Sequence, residues 1–409
     1  MVGRWSPVET GWARAPSPLA IAATALTALG VAMGIGRFAF TPILPMMQQD
    51  AGVSVAQGAW LASANYLGYL LGALSALILR ARPATAIRSG LVVIGLATLA
   101  MGVAPSFAAW LALRALAGVA SAWVLVFGSA WALAALPATG PPVLRGTVFA
   151  GVGAGIAVAG AFCGVLMQRG ATSPTAWRGL GVIALIGTAA VWRILGVRDD
   201  AAPRQGRQPR GLARRWDSDT VALALCYGAF GFGYIIPATF VPAMARELVR
   251  DPRITAWSWP VFGIAAVVST LVVAEATRFV SNRRLWALGH LVMAIGVAAP
   301  VVWPTVGGIL TAALLVGGTF MVNTMAGMQE AKIVGGSRST GLMAALTAAF
   351  ATGQVAGPLF VTHAVGAGGD FSRPLLTASL LLLVSAVALF RARPERAASP
   401  LDHVETGPS

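Results

Sequence analysis

The sequence predicts an all-α membrane protein with twelve transmembrane helices in two six-helix pseudo-repeats, and three observations point there. Of 409 residues, 57% are hydrophobic and only 11% charged, against roughly 25% charged in soluble domains. Apolar runs long enough to cross a hydrocarbon core, about 20 residues, recur along the whole chain. A stretch rich in Arg, Pro and Gly at 196–218 divides those runs into six and six.

In chain order the spans read 19–45, 57–79, 84–104, 107–135, 147–168 and 175–195, then 219–244, 256–279, 284–302, 305–331, 339–362 and 372–391. The first run follows a tail holding Arg4 and Arg14. It is too long for a signal-peptide core and lacks a small-residue cleavage site, so it reads as a retained span. The expected organisation is a bundle over 1–195, a cytoplasmic linker over 196–218, a second bundle over 219–391 and a disordered cytoplasmic tail over 392–409.

Charge sets the orientation. With both termini inside, 21 of the 29 basic residues fall in tails, even-numbered loops and inner span ends, including Arg80, Arg82, Arg88, Arg145 and Arg204 to Arg215. The outer loops hold six, Arg169, Arg178, Arg246, Arg250, Arg253 and Arg373, and Arg37 and Arg114 lie within spans. Short loops rich in Arg are retained in the cytoplasm, so both ends are expected there. Trp5, Trp12, Trp110, Trp177, Trp257, Trp259 and Trp303 sit near span ends, where interfacial anchors belong.

Composition also excludes. The single lysine, Lys332, stands in Glu330-Ala331-Lys332-Ile333, so the chain has no Walker A loop for nucleotide phosphates. The net charge of +15 comes from arginines scattered between apolar runs, a topological pattern and not a nucleic-acid face. Cys163 and Cys226 lie inside spans and read as small buried hydrophobes. Neither His-Glu-x-x-His nor an activated nucleophile is present; no catalytic residue, cofactor or metal is expected, and a monomer is. The Gly151-Val152-Gly153-Ala154-Gly155 run has no preceding strand and no following acid, so it reads as helix packing.

The halves match each other. Gly34-x-Gly36-Arg37 with Pro45 returns as Gly231-x-Gly233-Tyr234 with Pro242, and Gly160 and Gly164 match Gly353 and Gly357. Duplicated bundles place a solute site at their seam near the midplane. Arg37 is the sharpest candidate there, because a charge inside a span costs several kcal/mol unless it meets water or a partner. It either attracts an anionic solute group or bonds carbonyls freed by Pro42 and Pro45. Arg114 suits carboxylate or phosphate recognition, with a helix-packing role as its alternative. Asn65, Tyr66, Tyr69, Tyr227, Tyr234, Thr319, Asn323 and Gln354 are candidate lining, or else interhelical hydrogen bonders. Glu330, Glu275 and Arg278 lie near inner span ends as candidate gate or coupling groups. His290 and His363 are the histidines within spans and the titrating groups available for proton coupling.

Gly36-Arg37-Phe38-Ala39-Phe40-Thr41-Pro42-Ile43-Leu44-Pro45-Met46 resembles the first-span signature of the YbfB/YjiJ-type branch of the major facilitator superfamily. Arg114-x-x-x-Gly118 and Gly353-x-x-x-Gly357-Pro358 resemble motifs of the wider superfamily. The loop between spans 2 and 3 departs from it: Ala76 stands where the family carries an acidic gate residue. Glu275 with Arg278, Arg283 and Arg284 is a partial substitute. The resemblance implies a secondary transporter in a bacterial inner membrane but no particular solute; Arg37 and Arg114 together favour a small anionic or zwitterionic one. In that fold span 9 is peripheral, so His290 reads as structural. Direction and proton coupling stay open. The alternatives are a sensor or scaffold built on a transporter fold, or an intramembrane enzyme.

Overall fold

The computed structural model describes residues 16–79, 81–137, 139–197, 217–248, 252–364 and 371–391. Arg80, Arg250, most of the expected linker and the expected 392–409 tail lie outside the described residues, as do Trp5, Trp12 and the side chains of Pro242, Arg246, Arg253, Trp257 and His363. The protein is helical: α1 Pro18–Leu29, α2 Phe40–Asp50, α3 Val55–Ile78, α4 Pro83–Met101, α5 Phe107–Ala135, α6 Pro142–Gln168, α7 Ser173–Val197, α8 Ser218–Leu248, α9 Pro252–Ala276, α10 Asn282–Val302, α11 Val306–Gly335, α12 Ser339–Ala364 and α13 Ser372–Arg391. A π-helical segment, Gly30–Ile35, follows α1, and a 3-10 turn, Gly336–Arg338, joins α11 to α12.

Helix starts follow local chemistry. The Ser17 hydroxyl accepts from the Ala20 amide, with Pro18 in the first turn, where a missing N–H costs nothing. Ser54 and Gln57 form a reciprocal capping box at α3, which satisfies two otherwise orphaned donors. Most helices run a few residues beyond the apolar runs, because caps and first turns are polar and escape a hydrophobicity reading.

Among the described residues, eleven helical stretches are long and apolar enough to cross a membrane. One of them, Val306–Val361, has 56 residues and contains both α11 and α12, parted at Gly336, whose φ of +49° suits glycine. Stripes at helical spacing face outward, such as Leu67, Leu71, Leu74 and Ile78 on α3 and Val261, Ile264, Val268 and Val272 on α9. Meanwhile Arg37, Asn65, Arg114, Asn323 and Gln354 are buried. Apolar outside and polar inside is the arrangement that lipid, not water, stabilises. Trp303 is exposed near the end of α10, as an anchor would be, but Trp177 is buried against its neighbours.

Helices α6 with α9, and α3 with α12, join early helices to late ones; α1 meets α6, and α8 meets α12. Glycine makes the crossing of α6 by α1 and the π segment possible. A Cβ at Gly155 would collide with the carbonyl of Gly30, and one at Gly34 with the backbone of Gly155. Such small-residue crossings let backbones touch. Gly155→Ala should therefore cost about 1–3 kcal/mol through overpacking and lower the melting temperature of the purified protein. Gly164→Ala, with no atom within 4 Å of its Cβ position, should leave it unchanged. Equal melting of the two would contradict this crossing.

Candidate solute site

The first span is not one helix. After α1 the chain widens into the π segment, where Gly36 donates to the Val31 carbonyl at 2.9 Å and Phe38 to that of Met33 at 2.9 Å. Residues 36–39 form turns before α2 begins. Pro42 and Pro45 have no N–H to give, so the ladder cannot close normally here. Local π geometry of this kind is often found at functional sites. The equivalent stretch of α8 stays helical from Ser218 to Leu248.

Helix α5 braces the break. Arg114 donates from Nη1 to the Gly36 carbonyl at 3.2 Å and from Nη2 to the Arg37 carbonyl at 3.2 Å. Its guanidinium also lies 4.8 Å from the Phe40 ring centre. The Ser121 hydroxyl meets the Ala32 carbonyl at 2.7 Å. The task of bonding backbone freed at the break is thus performed by Arg114, not by Arg37.

Arg37 points across the seam instead. It is 3% exposed and donates from Nη2 to Oε1 of Gln354 on α12. Its guanidinium carbon lies 3.9 Å from the Tyr69 ring centre, 5.5 Å from Tyr66, 5.6 Å from Phe38 and 5.9 Å from Phe350. Four rings at such distances give cation–π stabilisation. Hydrogen bonding is incomplete: Nε and Nη1 of Arg37, Nε2 of Gln354 and the Tyr69 hydroxyl are buried without a partner. Among the described residues neither Arg37 nor Arg114 pairs with a carboxylate.

The other sequence candidates divide. Tyr66 and Gln354 join Arg37. Tyr234 stacks on Phe320 at 4.2 Å, and Phe320 meets Phe38 at 5.7 Å, which extends the aromatic wall. Asn65 turns to α5 and donates to the Arg114 carbonyl at 2.9 Å. Asn323 lies against Gly289 of α10, away from the Arg37 cluster. His290 bonds Trp286 at 2.7 Å and Ser385 at 2.9 Å, a buried structural arrangement.

At the predicted inner ends the expected charge set rearranges. Glu275 and Arg278 pair at 2.7 Å with both side chains about half exposed, within one helix end, so this pair clasps no other helix and is worth about 0–1 kcal/mol. Arg283 does not join them. It bonds Asp219 of α8 with both Nη atoms, at 2.7 and 2.5 Å, and Glu330 of α11 through Nε at 2.5 Å. Glu330 therefore pairs with Arg283 and not with its neighbour Lys332. Lys332 donates to the Leu133 carbonyl at the end of α5, which no residue-137 amide can reach because that residue is Pro137. Asp219 and the Lys332 contact were missed from sequence; the proline four residues after Leu133 was the available signal.

A buried polar seam inside lipid-facing apolar helices defines a polytopic integral membrane protein. Residues 29–390 match the family described as "Uncharacterised MFS-type transporter YbfB", and the chain belongs to that family of transporters. A search of curated proteins gave no match.

Proposed function

We propose that the chain is a secondary transporter of twelve spans in two six-helix bundles, 1–195 and 219–391, that carries a small anionic or zwitterionic solute across a bacterial inner membrane by alternating access. The carrying observation is Arg37: a buried cation at a helix break, bonded across the seam to α12, with two donors unspent. Treating α11 and α12 as separate spans brings the eleven apolar stretches to twelve. An even count leaves both termini on one side, and the arginine bias makes that side cytoplasmic. Duplication is supported by a repeated device: the π segment after α1 approaches α6 through Gly30, Gly34 and Gly155, as α8 approaches α12 through Gly228, Gly231 and Gly353.

In this reading the bundles rock about the α3–α12 and α6–α9 contacts. Arg114 holds the break that presents Arg37, and Arg283 ties α8, α10 and α11 so that the second bundle moves as a body. Lys332 clasps α5 to α11 at the inner end, where the family's acidic gate residue is replaced by Ala76. Counterflow in vesicles carrying the purified chain, with labelled organic acids and amino acids, is the test. Accumulation above protein-free vesicles supports the carrier; binding without counterflow would convert it into a sensor.

The clasp makes its own prediction. A charged hydrogen bond contributes about 1.5–3 kcal/mol, so Lys332→Ala should raise the inward-open population about tenfold or more. In a background lacking Cys163 and Cys226, an Ala331→Cys reporter should then react faster with an impermeant thiol reagent added from the inner face. An unchanged rate would show that Lys332 does not hold that end closed.

A further inference from the structure

We infer that the site takes an apolar monoanion, a carboxylate on a hydrocarbon or aromatic body with no ammonium group, and so refuses amino acids. This rests on the reading of Arg37 as the solute anchor and narrows it. Of the unspent polar atoms at the anchor, Nε and Nη1 of Arg37 and Nε2 of Gln354 can only donate, and the Tyr69 hydroxyl can donate or accept. The Gln354 amide is oriented by its own bond from Arg37, so its N–H groups are held beside the guanidinium. Such a set matches a planar carboxylate, which only accepts.

An ammonium group would find the opposite of what it needs. It carries three donors and no acceptor. The acceptors left open nearby are both neutral, the amide oxygen of Asn65 and the hydroxyl of Tyr69 one helical turn away, and the second of these lies against the Arg37 guanidinium. The carboxylates of Asp219 and Glu330 are spent on Arg283, while Arg114, bonded to the Arg37 carbonyl, adds a second positive charge nearby. The number of negative charges follows from the same inventory. Arg114 has both Nη groups bonded to backbone and only Nε unpartnered, so Arg37, with Nε and a whole Nη group unspent, is the guanidinium able to take a carboxylate by two parallel bonds. The body is set by what surrounds that guanidinium: Phe38, Tyr66, Tyr69 and Phe350 offer ring surface suited to apolar or stacking contact, with two phenol hydroxyls where a sugar would need many polar partners.

Three probes sharing one ring separate the possibilities: benzoate, phenylalanine and benzylamine. With the purified full-length protein in detergent, benzoate should raise the melting temperature in a concentration-dependent way, and the other two should not. Gln354→Glu supplies a built-in carboxylate to Arg37, so this variant should fold with an equal or higher melting temperature and lose the benzoate response. Stabilisation by phenylalanine equal to that by benzoate, a full benzoate response in Gln354→Glu, or no response to benzoate would each overturn the inference. The carrier reading fails separately. Benzoate binding without counterflow of the bound class in vesicles leaves the recognition intact and removes transport, whereas amino-acid counterflow keeps the carrier and removes the monoanion.

Discussion

Arg37→Ala should abolish counterflow of the solute that the wild-type protein carries while leaving the melting temperature unchanged or higher. Truncating one partner of a buried, hydrogen-bonded charge pair costs about 2–5 kcal/mol, so solute affinity should fall at least about thirtyfold. Stability should move the other way. Without solute, Arg37 is a buried charge with one amide acceptor, four ring faces and two unspent donors, so its removal returns the desolvation cost of a charge that has no ionic partner. The two readings left open by the sequence therefore separate in one variant. If Arg37 only propped the helix break, its loss would lower the melting temperature and transport together. Arg114 is the residue expected to behave that way, since its Nη atoms bond the Gly36 and Arg37 carbonyls. Arg37→Lys keeps the charge but loses the planar fork, and should recover only part of the activity. A variant that transports at the wild-type rate removes Arg37 from the site.

The helical, membrane-embedded fold was legible because lipid imposes a simple rule, long apolar runs, and the runs at 107–135 and 372–391 match α5 and α13 to the residue. What a one-dimensional pattern hides is direction around the helix. Asn65, Tyr66 and Tyr69 lie within five residues on α3, yet Asn65 turns to the α5 backbone while the rings of Tyr66 and Tyr69 face Arg37. Asn323 drew notice as a costly buried amide, but the space made by Gly289 on a different helix takes it away from the seam. Pairing over long separations was equally hidden. Glu330 sits two residues from Lys332 on one helix, where residues do not face each other, and their partners, Arg283 and Leu133, are supplied by distant helices. The aromatic contribution of Phe38 and Phe350 escaped a search for polar residues, because it becomes chemistry only beside a guanidinium.

Arg283→Ala carries the largest expected loss of stability. Arg283 is held at 6% side-chain exposure between Asp219 at 29% and Glu330 at 10%, and it is the cation that makes two carboxylates tolerable at one helix junction. Breaking a buried ion pair by removing one partner costs about 3–5 kcal/mol, because the remaining charge stays buried without compensation; the partial exposure of Asp219 pulls the figure toward the lower end. The damage should be electrostatic in origin, so it should be repairable by neutralising what was left behind. Asp219→Asn with Glu330→Gln in the Arg283→Ala background should recover a large part of the lost melting temperature, whereas the same pair of changes in the wild-type background should lower it. That reversal of sign is the signature of coupled charges, and purely additive effects would show that the three side chains are neighbours without being a unit. The functional consequence follows from geometry. Asp219 opens α8, Arg283 opens α10 and Glu330 lies near the end of α11, so one guanidinium fixes three helix ends against one another. In the neutral triple variant those ends are released without a stranded charge, so counterflow should slow even where folding is restored, because α8 and α10 are no longer tied to α11, the helix that carries the Lys332 contact.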